Sequence, residues 1–161
     1  MRRNLERVYL AVATALLFLI AANAGAETSG APSAIEKRVF DLTNAERANM
    51  GIAPLRWDDR LGRAAQGHAS NMATTNRFSH TLDRKDPGAR IRAQGLSPMR
   101  WSENIYFGGG SYGTADAAVD AWMDSRGHRL NLLDRNVTIL GVGVRKDSRG
   151  YYYFVQNFAR P

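Results

Sequence analysis

Imidazole rings ligate divalent metals and exchange protons near neutral pH, and this chain carries three of them, at His68, His80 and His128. His80 lies in NRFSHTLD, where no apolar stripe accounts for it, and His128 follows Gly127 in the stretch AWMDSRGHRLNLL. Glu103, in WSENI, stands between Trp101 and a run of apolar residues. Burial there penalises the charged carboxylate unless a cation or a hydrogen-bond donor compensates. Two imidazoles and one carboxylate form a workable set for zinc or another divalent ion, with a position left open for water. His80, Glu103 and His128 are far apart in sequence and form no local signature such as H-E-x-x-H, so spacing alone does not bring them together. His68 is different: it shares one helical face with Leu61, Ala65 and Met72, which predicts a hydrogen-bonded core histidine.

The competing chemistry is nucleophilic, with Ser79, Ser102 or Ser125 activated by a histidine that a carboxylate orients. Ser125 and His128 stand at i, i+3 and can face one another on a turn. None of the three serines lies in a G-x-S-x-G elbow, and Ser125 suits the cap of the next helical turn. A third route is hydrolysis of peptide or cell-wall bonds, in which Glu103, His80 or His128 serves as base for a metal-bound or free water. The residues leave binding and catalysis both open.

These side chains need elements to position them. Ser33 with Glu36 makes an S-x-x-E capping box for a first helix carrying Ile35, Val39 and Leu42, and Gly51 offers its left-handed stop. Asp58 caps a second helix, Asp86-Pro87 opens a short third that ends at Gly95, and Thr114 opens a fourth with Ala118, Val119 and Trp122 turned inward. The period then changes. TILGVGV and YYYFVQNF read as two antiparallel strands joined by a tight loop, ENIYF as another strand, and Gly108 to Gly110 as a flexible crossing. Helices first and a hairpin last imply an α+β domain.

Residues 1–26 read as a cleavable export signal: basic Arg2, Arg3 and Arg7, the apolar run VYLAVATALLFLIAA, then the small residues ANAGA. Cleavage after Ala26 leaves 135 residues with a net charge of +5, enough for one core. The chain has no cysteine, so an exported domain must rely on packing alone, which favours a bacterial product that is periplasmic or secreted. Residues 27–33 form a linker, and the folded domain spans 34–161. The arginines, among them Arg47, Arg56, Arg63, Arg77, Arg90, Arg100, Arg135 and Arg149, are scattered and read as solvated surface, with no nucleic-acid motif.

Taken in order, LTNAERANMGIAPLRWDDRL, AAQGHASNMA, FSH, SENI, AWMDSRGHRLNLL, ILGVGV and YYYFVQNF resemble the CAP superfamily, which joins cysteine-rich secretory proteins, venom antigens and plant pathogenesis-related proteins. The chain is most similar to the cysteine-free bacterial branch of SCP-like extracellular proteins, over residues 35–158. The resemblance implies a three-layer α-β-α sandwich with a small, mainly antiparallel central sheet and a cleft. In that cleft the family holds divalent ions such as zinc or magnesium on two histidines and two acidic residues. His80, Glu103 and His128 match three of these positions. Ser125 stands at the fourth, where a hydroxyl replaces a carboxylate, removing one negative charge and lowering the expected metal affinity. On this reading Trp122 anchors the fourth helix, Gly127 redirects the chain, and His128 enters the cleft opposite His80 and Glu103. Arg129 and Asn131 are left for the surface or the loop, with the Asn104 and Asn131 amides bridging backbone groups in turns. The resemblance also implies a lipid, a sterol or another envelope component as partner.

Overall fold

In the computed structural model, which describes residues 31–161, the first helix begins where the capping box places it; the export signal and residues 27–30 of the linker lie outside the described residues. Glu36 N–H donates to Ser33 Oγ, and Ser33 N–H donates to Glu36 Oε2 at 2.8 Å. Helix α1 runs Ala34–Asn49, with Gly51 beyond it at φ +62°. Its buried positions are Val39, Thr43 and Arg47, one per turn. Arg47 therefore corrects the surface reading. It is 1% exposed, and its guanidinium donates to the carbonyls of Ala53, Leu132 and Asp134, each at 2.9 Å. Those three bonds offset part of the cost of burying a charge.

Asp58 caps α2, Asp59–Thr75, accepting from Arg60 N–H at 2.9 Å. Asp86 caps α3, Pro87–Ala93, and Thr114 caps α4, Ala115–Asp124. The chain then breaks at Ser125, whose backbone is extended (φ −87°, ψ 117°), and α5, Arg126–Leu132, follows at once. The redirection assigned to Gly127 thus belongs to Ser125. Gly127 is an ordinary second residue of α5, and a Cβ there would meet nothing within 4 Å.

A four-stranded sheet lies between these helices in the order β1-β3-β4-β2: β1, Arg56–Trp57; β2, Arg100–Gly109; β3, Ile139–Lys146; β4, Tyr151–Arg160. The β3–β4 hairpin and the β2–β4 pairing are antiparallel, and the two-residue β1 adds one parallel pair to β3. Gly108 and Gly109 pair with Tyr152 and Tyr151 inside β2, so the glycine triplet is mostly strand and not a flexible crossing.

Alternation along the strands assigns each residue a face. Leu140, Val142, Phe154 and Phe158 pack with Val39 of α1, Val119 and Trp122 of α4 and Leu132 of α5. On the other face, Ile105, Val155, Tyr153, Ile139 and Ala159 pack against α2 and against Ile91 of α3. The result is the three-layer α-β-α sandwich. Its tightest contact is set by two glycines of GVGV: a Cβ at Gly141 would lie 2.1 Å from the backbone nitrogen of Gly62, and one at Gly143 would lie 2.2 Å from that of Gln66. Only hydrogen at these positions lets α2 lie directly on β3. The free edge of β3 is also covered, because Val144 N–H donates to Gln66 Oε1 at 2.9 Å. A side chain thereby occupies a group that would otherwise template another strand.

Candidate functional site

Glu103 projects from β2 onto the α2 face of the sheet, and three elements converge on its carboxylate. Its side chain is 1% exposed. Arg90, from α3, donates Nη2–H to Oε2 at 2.6 Å and Nη1–H to the carbonyls of His80 and Lys85 at 2.9 and 2.8 Å. Asn157, the cross-strand partner of Glu103 on β4, donates its amide to Oε2 at 3.1 Å and accepts from Ala65 N–H at 3.2 Å in the orientation that matches donors with acceptors. His80, from the loop after α2, places Nδ1 2.9 Å from Oε1. A buried carboxylate needs such partners, because an uncompensated charge costs several kcal/mol in a protein interior. Arg90 is the cation that offsets it. The surface reading of that arginine is corrected here too: its side chain is only 10% exposed.

A carboxylate oxygen accepts, so the His80 nitrogen facing it carries the hydrogen, and in the neutral ring Nε2 then keeps its lone pair. Half of the His80 side chain is exposed. A carboxylate behind an imidazole, fixing its tautomer and orientation, is the usual support of a metal-binding histidine.

His128 arrives from α5, which covers the free edge of β2. Asn131 donates to Asn104 Oδ1 at 2.9 Å and to the carbonyl of Glu103 at 3.4 Å, while Asn104 Nδ2 donates to the carbonyl of His128 at 3.1 Å and to Gln156 Oε1 at 3.2 Å. Gln156 then donates to Thr43 Oγ1 at 2.7 Å, and Thr43 donates to the Val39 carbonyl at 2.8 Å. The two asparagines therefore do not bridge turns. They belong to a chain of amides that runs from α1 across β4 and β2 along the α1 face of the sheet and holds the main chain of α5 at His128. Burial lowers the pKa of His128 below the ordinary histidine value, and the neighbouring His80 lowers it further.

His68 is the core histidine that helix spacing predicts, 1% exposed, with Nε2 2.9 Å from the Ser79 carbonyl and 4.0 Å from Glu103 Oε1. Burial depresses its pKa, against the pull of the Glu103 charge. The serines take structural places. Ser79 Oγ donates to the Thr81 carbonyl at 3.1 Å and accepts from Thr81 N–H, closing the turn that presents His80. Ser125 lies between α4 and α5 without a side-chain cap bond, and Ser102 Oγ is buried without a partner. Among the described residues no serine hydroxyl hydrogen-bonds an imidazole.

The structure brings His80 and Glu103 together and carries His128 on α5, whose main chain is bonded to Asn104 of β2. Among the described residues no group of three or more His, Cys, Asp or Glu side chains is placed to hold a metal ion. Both Glu103 oxygens already accept from protein donors, so the carboxylate stands behind His80 and is not itself open to an ion. Sequence reasoning missed Arg90, Asn157 and the amide relay. One signal was available for Arg90: it stands three residues after buried Pro87 and next to buried Ile91, on the margin of the inward face of α3.

Residues 40–158 match the model of the cysteine-rich secretory protein family, CAP. The protein YkwD of Bacillus subtilis (strain 168) is 38% identical over 120 residues, covering 72% of this chain and 46% of that protein. Pathogenesis-related protein 1A of Nicotiana tabacum is 25% identical over 169 residues, covering 95% of this chain and 88% of its own length. The crystal structure of an extracellular protein containing an SCP domain from Bacillus anthracis str. Ames aligns with a TM-score of 0.71 and 33% identity, over 78% of this chain and 40% of that one. The chain thus spans less than half of each of these two Bacillus proteins. Among the described residues no helix is long and apolar enough to cross a membrane.

Proposed function

We propose, for a chain that belongs to the CAP family of cysteine-rich secretory proteins, that it is an exported binding module whose cleft takes a divalent ion, zinc or magnesium, on His80 and His128. Glu103 serves this site from behind, holding His80 by Nδ1 so that Nε2 is available. The observation that carries the reading is the 2.9 Å contact between His80 Nδ1 and Glu103 Oε1, on a ring whose side chain is half exposed. When bound, the ion supplies a Lewis-acidic centre for an oxygen of the ligand. Ser125, at the position where the family resemblance expects a second acid, adds no charge, so the site is weaker than a four-residue one. The partner class that accompanies the family is a lipid, a sterol or another envelope component, and flotation with phospholipid vesicles, with and without sterol, tests it separately.

Isothermal titration with zinc and with magnesium tests the cleft. The wild-type protein is expected to give saturable heat with at least one ion, and the His80→Ala/His128→Ala variant none. Glu103→Gln is expected to weaken binding by about 10- to 100-fold, the usual effect of losing a partner behind a ligating histidine. Equal heats from the wild type and the double variant would remove the metal from the cleft.

A further inference from the structure

His80 takes its direction from the loop between α2 and α3, which has little regular structure of its own. The loop is also strained. Asp83 and Arg84 stand at φ +52° and +58° in the turn between Leu82 and Lys85, which Lys85 N–H closes by donating to the Leu82 carbonyl at 2.9 Å. Residues other than glycine seldom adopt that backbone, and it persists only where the surroundings over-determine it. What fixes this loop must therefore come in large part from outside it.

Two buried side chains reach it. His68, on α2, places Nε2 2.9 Å from the carbonyl of Ser79. A carbonyl only accepts, so in the neutral ring Nε2 carries the hydrogen. Arg90, on α3, donates Nη1–H to the next carbonyl, that of His80, at 2.9 Å and to that of Lys85 at 2.8 Å, while its Nη2–H donates to Glu103 Oε2 at 2.6 Å. The loop is thus gripped at two consecutive carbonyls, Ser79 and His80, and again past the strained turn. Because Arg90 bonds both the backbone of His80 and the carboxylate that faces its ring, one guanidinium fixes the two sides of the His80 to Glu103 contact.

Packing does not account for either residue. Each leaves a buried nitrogen without a partner, Nδ1 of His68 and Nε of Arg90. An unpaired buried polar atom costs stability that an apolar side chain of similar size would not. His68 shares its helical face with buried Leu61, Ala65 and Met72, where such a side chain would fit the pattern. The nitrogens that do find protein acceptors all serve the loop that carries His80, or Glu103.

We propose that His68 and Arg90 are positioning residues: a clamp on the Ser79 and His80 carbonyls that holds the His80 ring against Glu103 and keeps its hydrogen on Nδ1. The clamp deepens the proposed function and rests on it, since a fixed lone pair on His80 matters only where that ring has something to bind.

The test reads the two ring nitrogens of His80 by nitrogen-15 NMR of the full chain at about pH 8, where an ordinary histidine is neutral, with no metal added. In the wild type the two signals are expected to stand far apart, as in one tautomer with the hydrogen on Nδ1. His68→Leu is expected to draw them together, because a released ring samples both tautomers. His68→Gln, whose amide can still donate to Ser79, is expected to restore the separation. Arg90→Lys keeps a charge beside Glu103 and loses the planar fork; it is expected to act as His68→Leu does, and it keeps the test open if the leucine variant does not fold. Leu140→Ala weakens the core from the other face of the sheet and is expected to leave the His80 signals unchanged. The proposal is overturned if the wild-type signals are already averaged, or if they stay as far apart in His68→Leu or Arg90→Lys as in the wild type. It is overturned equally if Leu140→Ala brings them together, since lost stability alone would then explain the change. Zinc added to the wild type afterwards separates the two readings: a fixed tautomer with no heat of zinc binding removes the metal and leaves the clamp.

Discussion

The two faces of the central sheet are covered by helices in different ways. The face toward α1, α4 and α5 is filled by large side chains: Trp122 is buried with its indole N–H donating to the Ile105 carbonyl at 3.1 Å, among Phe154, Phe158 and Leu140. The face toward α2 is closed by backbone approach at Gly141 and Gly143, and beside that approach it holds an ion pair and two of the three histidines. Side-chain packing tolerates repacking, since rotamers and neighbours can shift. Backbone contact has no such freedom. Glu103 and its partners Arg90, His68 and His80 therefore gather on the face whose helix is set by backbone contact, which is where side chains that must keep a fixed geometry are best supported, while His128 stands on α5.

The largest expected effect follows from that contrast. Gly141→Val places carbon where the Gly62 nitrogen and the Leu61 carbonyl carbon already lie, at 2.1 and 2.2 Å from the new Cβ, so α2 must lift from the sheet. A loss of more than about 4 kcal/mol, or failure to fold, is expected by urea denaturation. Leu140→Ala, one residue earlier and on the other face, is expected to cost about 2–5 kcal/mol and to keep the fold. A Gly141→Val protein more stable than Leu140→Ala would break the comparison.

These two glycines also mark how far the sequence could be read. Caps and stops were legible because each is a local rule: Ser33 with Glu36, Asp58, Asp86-Pro87, Thr114 and Gly51 are all where the structure uses them. The hairpin and β2 were legible from their β-branched and aromatic runs, whereas β1 is two residues long and leaves no period to detect. Arg47 and Arg90 were hidden for a different reason. Arginine is exposed by default, and the partners that reverse the default are carbonyls and a carboxylate supplied by other elements. Asn104 was misplaced in the same way, because a strand amide that bonds a carbonyl 24 residues away has no local signature. Of the site, the residue types His80, Glu103 and His128 could be named, but not that Glu103 would be enclosed by Arg90 and Asn157.

A smaller effect tests the polar half of the comparison. Glu103→Gln removes the counter-charge of Arg90 while its two carbonyl bonds remain. Breaking a buried pair from one side costs about 3–5 kcal/mol, mostly through the charge left behind. Arg90→Met alone should cost a similar amount, and the double variant clearly less than the sum of the two, with the coupling read from urea midpoints. Strict additivity would mean that the pair is solvated and that the α2 face is less closed than its contacts imply.

The smallest effect is a pH dependence that both faces share through their histidines. His68 and His128 are each held below the ordinary histidine value of 6.5, chiefly by burial. Folding is then favoured while both rings are neutral, in the folded and the unfolded chain alike. As pH falls below about 6.5 the unfolded chain takes up protons that the folded chain refuses, so stability is lost, by at most about 1.4 kcal/mol per pH unit for each histidine. The charges that bear on His68 are those of Glu103, Arg90 and His80, and the one that bears on His128 is that of His80; Glu103 and the hydrogen bond to the Ser79 carbonyl favour the protonated ring of His68. Asp58 and Asp134, both lowered from 3.8, lose their contribution only in stronger acid, well separated from this window. Urea midpoints measured from about pH 8 down to pH 5 are expected to fall in the wild type and to fall less steeply in His128→Gln, which keeps a polar side chain on α5 and cannot titrate. An unchanged slope in that variant would assign the whole dependence to His68, and with it to the α2 face alone.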